Sequence, residues 1–176
     1  MNQQFNNFNI IDFNAQQCES FFKLMDNNKP RLENFFAGTV AKTKTLKDTI
    51  AYCKEIEQRV GAKSYFPYIL TNNNNEFIGL IDIKNIDWNI PKAEIGYFID
   101  ANYEGQGIIS NALKRVVEYV VERYQFKKLL CRTSTENLGS ISVALKNGFE
   151  LEGTIHNDYR TTKGQLVDLN YYGRVF

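Results

Sequence analysis

The feature that most constrains this chain is a pair of glycines set between a strand-like and a helix-like stretch. Ala93 to Asp100 alternates with Ile95, Tyr97 and Ile99 on one face, which predicts a β-strand. Gly105-Gln106-Gly107 follows, and then Ile109 to Tyr124 carries Leu113, Val116, Val117, Val120, Val121 and Tyr124 as a wide apolar stripe at helical spacing. Glycines let backbone amides approach a ligand closely, and a helix start adds partial positive charge. The stretch Gly105, Gln106, Gly107, Ile108, Ile109 and Ser110 is therefore a candidate anion site, best suited to a pyrophosphate. The glycines alone fit equally well a tight turn that binds nothing. A Walker loop is excluded because no Gly-Lys-Ser/Thr follows. A dinucleotide fingerprint is excluded because Ser110 stands where a third glycine is required.

The remaining punctuation places this unit late in a longer α/β succession. Asn72-Asn73-Asn74-Asn75 separates Ser64–Thr71 from Glu76–Lys84, so the two runs predict an antiparallel hairpin. The second arm is apolar on both faces, as expected of a central strand covered on each side. Upstream, Thr45 with Asp48 predicts a capped helix through Val60 that Gly61 stops. Cys18–Asp26 predicts a short helix and Asn6–Phe13 a first strand. Downstream, Lys128–Thr133 reads as a strand and Asn137–Lys146 as a helix ended by Gly148. Phe149–Ile155 and Leu166–Val175 read as closing strands. Residues 1–176 are expected to form a single domain.

Composition narrows the function. The chain has 176 residues, 43% hydrophobic and 14% aromatic, with a formal charge of +1. Such a chain can bury a core, and intrinsic disorder is excluded for its bulk. Near-neutrality supplies no global field for nucleic acid or an anionic membrane, so neither is expected as a partner. Cys18, Cys53 and Cys131 are far apart and the single histidine is His156, so no Cys/His zinc site can be assembled and no metal is expected. The first ten residues lack the basic and apolar segments of a signal peptide, and no apolar run reaches membrane-helix length. A cytoplasmic location is expected.

Further motifs carry a family resemblance. Glu94-Ile95-Gly96-Tyr97-Phe98-Ile99, the glycine loop and the long helix resemble the acetyl-CoA-binding core of the GNAT superfamily of N-acetyltransferases. Asn137-x-x-Ser140, then Gly148-Phe149 and Glu152-Gly153, and finally Asp168-Leu169-x-Tyr171-Tyr172 extend the resemblance. The Asp26–Phe36 stretch is similar to the N-terminal helices of the branch that acetylates protein N-termini, especially those of ribosomal proteins.

The resemblance implies a mixed α/β fold, with a central, mostly antiparallel twisted sheet flanked by helices, and transfer of acetyl from acetyl-CoA to a primary amine. The implied acceptor is a protein N-terminus. A polyamine, aminoglycoside or amino acid is the alternative, and a non-catalytic acyl-CoA-binding module a third. By the same resemblance Phe98 and Ile99 supply main-chain contacts to pantetheine, and Asn137 a side-chain contact. Ser140 becomes the proton donor to the departing sulfur, in place of a tyrosine that many relatives carry where Ala144 stands here. Asn137 and Ser140 taken alone read as an N-cap and a first-turn serine. Asn102 stands where the family's loop often has Gln or Arg. The base is open between Glu94 and Asp158, with His156 or a water relay as alternatives. Trp88 and the Phe35-Phe36 pair are candidates for the acceptor wall or for plain core. The oligomeric state is open between monomer and homodimer.

Overall fold

The computed structural model describes residues 1–176. Its centre is an eight-stranded sheet in the order β1-β2-β3-β4-β5-β6-β8-β7. The strands are β1 (Asn2–Phe5), β2 (Phe8–Asp12), β3 (Phe66–Asn72), β4 (Phe77–Asp87), β5 (Lys92–Ile99), β6 (Lys128–Ser134), β7 (Glu150–Arg160) and β8 (Leu166–Val175). The helices are α1 (Cys18–Leu32), α2 (Ala37–Lys42), α3 (Leu46–Gly61), α4 (Ile108–Tyr124) and α5 (Leu138–Lys146). Every neighbouring pair of strands is antiparallel except β5 and β6. The mixed, mostly antiparallel architecture expected from the resemblance is the one observed.

The asparagine turn forms for the expected reason. Asn72 Oδ1 accepts from the amides of Asn74 and Glu76, at 2.9 and 3.0 Å, and Asn75 takes a left-handed φ of 60°. Thr45 caps α3 by accepting from the Asp48 amide at 3.1 Å. Gly148 follows α5 at φ 74°, the left-handed conformation of a helix-ending glycine.

Three local expectations need correction. Gly61 does not stop α3 but is its last residue; the left-handed turn falls on Lys63, with φ 53°. The expected first strand, Asn6–Phe13, is β2, and a further strand precedes it, because Asn6 at φ 49° folds polar Asn2–Phe5 back onto β2. The short first helix runs six residues past Asp26, through Pro30. Tertiary contacts hold that extension: buried Asn28 donates to Leu24 O at 2.9 Å and to Asp100 Oδ2 at 2.7 Å. The short helix α2 was not foreseen.

Two apolar clusters lie on opposite faces of the sheet. The larger packs α4 and α5 against Ile81, Ile83, Ile95, Tyr97 and Leu129. The smaller packs α1, α2 and α3 against Leu80, Phe98 and Ile69. Burial of these side chains at about 25 cal/mol per Å² is the main force assembling both layers.

Candidate functional site

β5 and β6 pair over only three residues, Lys92–Glu94 with Lys128–Leu130. Beyond Glu94 the two strands part, while β5 stays paired to β4 as far as Ile99. Backbone groups alternate in direction along a strand. Part of the main chain of residues 95–99 therefore faces a gap with no strand to pair it. Of the two expected main-chain contacts, Ile99 turns its backbone groups to the gap, whereas Phe98 turns its own to β4, in phase with the Asp100 N–H bonded to Ile78 O.

Two cavities open at the gap. One, of about 640 Å³, is lined by Phe98, Ile99, Gly105, Gly107 and the first turn of α4. Gly105 and Gly107 have φ of 72° and 73°, a conformation that side chains with a Cβ resist. Gly107 is the N-cap of α4, and no side chain caps that helix. The leading amides of a helix have no partner within it, so those of Ile108, Ile109 and Ser110 are left to meet a ligand. This surface fits the diphosphate of coenzyme A. The Ser110 hydroxyl is already engaged, accepting from Asn147 at 3.2 Å. Gln106 turns away and donates to Asn102 O at 3.1 Å. Asn102 is itself tied to Asp100 Oδ1 at 3.0 Å.

No local pattern marks Arg31, which α1 carries to this cavity. It donates to Ile99 O at 3.3 Å and pairs with Glu104. Only the continuation of α1 past Pro30 brings it there.

The second cavity, of about 330 Å³, lies between α2 and α3 on one side and β7 and β8 on the other. The Ala37 amide donates to Tyr159 Oη at 3.1 Å, linking α2 to β7. Tyr97, Asn137, Ser140, Phe35 and Phe36 line both cavities, so the two meet there. Asn137 caps α5, accepting from the Ser140 amide at 3.1 Å. Tyr97 spans the gap and donates to Ser140 O at 2.7 Å. A phenol thus reaches the junction from β5, although Ala144 on α5 cannot supply one. Burial pushes the Tyr97 phenol well above its ordinary pKa, so it keeps its proton.

The floor of the second cavity is a row of charges on one face of the sheet. Asp82 pairs with Lys84 at 3.4 Å, Lys84 with Glu94 at 3.8 Å, Glu94 with Arg132 at 3.0 Å and Arg132 with Asp158 at 3.5 Å. Tyr65 donates to Asp82 at 2.9 Å and Tyr171 to Asp158 at 2.7 Å, closing the two ends. Burial alone would push the Lys84 ammonium down, but Asp82 and Glu94 beside it carry its pKa above the ordinary value. Gly96 makes room for the row: a Cβ there would lie 2.5 Å from Asp82 Oδ1 and 2.8 Å from Lys84 Nζ.

Glu94 and Asp158, the two candidate bases, are therefore joined through Arg132. Glu94 lines the cavity, whereas Asp158 stands behind Arg132 and Tyr171. His156 is exposed on β7 and bonded to Asp168 at 2.8 Å, away from both cavities. Trp88 is also elsewhere, stacked on Phe126 with its indole N–H donated to Lys63 O. Asp82, Lys84 and Arg132 were missed. The available signal was a charged residue inside the apolar run Phe77–Ile83, since a buried charge needs a partner. No group of three or more His, Cys, Asp or Glu side chains converges on a point that could hold a metal ion. No helix is long and apolar enough to cross a membrane.

Comparison with known proteins gives the arrangement its context. Residues 9–150 match the family profile described as an acetyltransferase (GNAT) domain. The ribosomal-protein-serine acetyltransferase of Escherichia coli K12 is 31% identical over 113 residues, 64% of this chain and 63% of that protein. The aligned part thus spans less than two thirds of that relative. The ribosomal-protein-S5-alanine acetyltransferase of Vibrio fischeri has the same fold, with a TM-score of 0.90 at 15% identity over 99% of this chain and 96% of that one. A ribosomal L7/L12 α-N-protein acetyltransferase in complex with coenzyme A superposes with a TM-score of 0.89 at 21% identity, over 98% and 96% of the two chains.

Proposed function

The chain belongs to the acetyltransferase (GNAT) domain family, and from that premise we propose that it transfers acetyl from acetyl-CoA to a protein N-terminal α-amino group of the ribosomal-protein type. The carrying observation is the junction at Tyr97 and Ser140, where a cavity suited to coenzyme A meets a separate one open to an acceptor. Two reactants held side by side in this way can gain much of their rate from proximity.

The acceptor amine attacks the acetyl carbonyl carbon and the carbon–sulfur bond breaks. The main-chain N–H of Ile99, on the edge of β5 turned away from β4, stabilises charge on the carbonyl oxygen. The departing thiolate takes a proton from the Ser140 hydroxyl, which solvent restores. The amine loses its own protons to water, one before attack and one after. The products are an N-acetyl group and free thiol.

The state of the carboxylates supports an α-amine. Glu94 already accepts from Arg132 and Asn85, and Asp158 from Tyr171 and Arg132, so neither is an uncommitted base. An α-amino group has a pKa of about 8, and a useful fraction is neutral at pH 7 without help. A lysine-like amine, with a pKa of about 10.4, would need a dedicated base. The 31% identity to an acetyltransferase named for ribosomal-protein serine points the same way.

Thiol release from acetyl-CoA, measured with N-terminal peptides, polyamines, aminoglycosides and free amino acids, tests the proposal. Turnover of peptides with a free α-amine is expected. Turnover confined to polyamines or aminoglycosides would overturn the acceptor assignment. Acetyl-CoA at 100 times its Kd should also stabilise the fold by about 2.7 kcal/mol. Without that shift and without thiol release, the acetyl-transfer reading fails.

A further inference from the structure

Resting on that acceptor reading, we infer that the acceptor carries negative charge just behind its amine: an N-terminus with Asp or Glu among its first residues. The cations of the acceptor cavity face the space and its acids lie behind them. Lys42, Arg59, Lys84 and Arg132 line it, against Asp82 and Glu94. Their side chains are 47%, 35%, 26% and 31% exposed, whereas those of Asp82 and Glu94 are only 4% and 12% exposed. Every lining cation is more accessible than either lining acid.

The acids are also spent. Both oxygens of Asp82 are bonded, to Tyr65 and Lys84, and Glu94 is held by Asn85 and Arg132. On the opposite wall Lys42 pairs with Glu55 at 2.6 Å, while Arg59 reaches the same carboxylate only at 4.0 Å and lies over the Tyr65 ring. One carboxylate shared by two cations leaves positive charge on that wall. The near-neutral formal charge of the whole chain conceals this asymmetry, because the compensating acids stand outside the cavity or beneath its floor. A polycationic acceptor would meet four lining cations, with Asp82 and Glu94 as the only lining acids and both beneath them. An acidic side chain following the amine would meet Lys42 and Arg59.

Three otherwise identical peptides, Ser-Asp, Ser-Ala and Ser-Lys at their N-termini, provide the test. Exposed charge pairs of this kind predict a KM for Ser-Asp about fivefold below that of Ser-Ala, with Ser-Lys above both. Raising the salt to about 0.5 M should narrow the spread by screening. Lys42→Glu with Arg59→Glu should reverse the order. The salt series on the unaltered protein gives an answer even if that variant fails to fold. Equal KM values, or a preference for Ser-Lys, would overturn the charge inference and leave the N-terminal reading standing. If no peptide is acetylated while another amine is, both fall together.

Discussion

The two cavities share Tyr97 and Ser140 but are built from different materials. The one suited to coenzyme A is made largely of main chain: unpaired backbone of β5, two glycines at positive φ and the uncapped start of α4. The acceptor cavity is made of side chains, with charges drawn from β4, β5, β6 and β7 and from helices α2 and α3. Main-chain recognition depends on conformation, which a few contiguous residues can dictate. Side-chain recognition depends on which strands become neighbours. The contrast predicts that each cavity can be damaged while the other is spared.

The largest effect is expected where the cavities join. Ser140→Ala should lower kcat by 10² or more if the hydroxyl protonates the leaving thiolate, as general acids typically contribute about 10²–10⁴. Acetyl-CoA affinity, read by calorimetry, should change little. Equal losses in both would make Ser140 a structural part of the α5 start instead.

A pair of glycine substitutions comes next. Gly107→Val places a β-branched residue at φ 73°, where the obstacle is backbone strain rather than space. It should weaken acetyl-CoA binding by more than about tenfold while leaving acceptor KM near normal, on the premise that distortion of an anion-binding turn costs at least about 1.4 kcal/mol. Gly96→Ala should do the reverse, because its Cβ enters the Asp82–Lys84 pair, and overpacking of this kind costs about 1–3 kcal/mol of stability. Matched losses of both ligands in either variant would break the comparison.

The smallest effect concerns pH. Lys84 has a raised pKa in the folded chain, so its ion pairs stabilise fully below the unfolded value of about 10.4 and are lost as pH climbs through the folded one. Urea denaturation of Lys84→Met should show lower stability at neutral pH. Its decline above pH 10 should be shallower than in the parent, where an unchanged slope would remove Lys84 from the alkaline transition.

Legibility followed the same division. Gly105, Gly107, the Asn137 cap and the Thr45 cap could be read because each works within a few residues of itself. Arg31 could not, because Pro30 normally ends a helix and only the Asn28–Asp100 bond, 72 residues apart in sequence, shows why α1 continues. Arg132 was equally silent. It is an ordinary charged residue on a predicted strand until folding sets Glu94 on one side and Asp158 on the other. Trp88 stacks on Phe126 and lines neither cavity, a placement that depends on strand neighbours far from it in sequence.

The sequence by itself determined the order of most elements and the glycine turn before α4, because periodicity, caps and left-handed positions are local properties of the chain, and its motifs carried the resemblance to the family. Only the tertiary structure decided that two cavities meet at Tyr97 and Ser140, and that cations face the second of them with acids beneath. Those facts depend on strand neighbours and on burial, which are set by how the whole sheet packs and not by any single stretch of it.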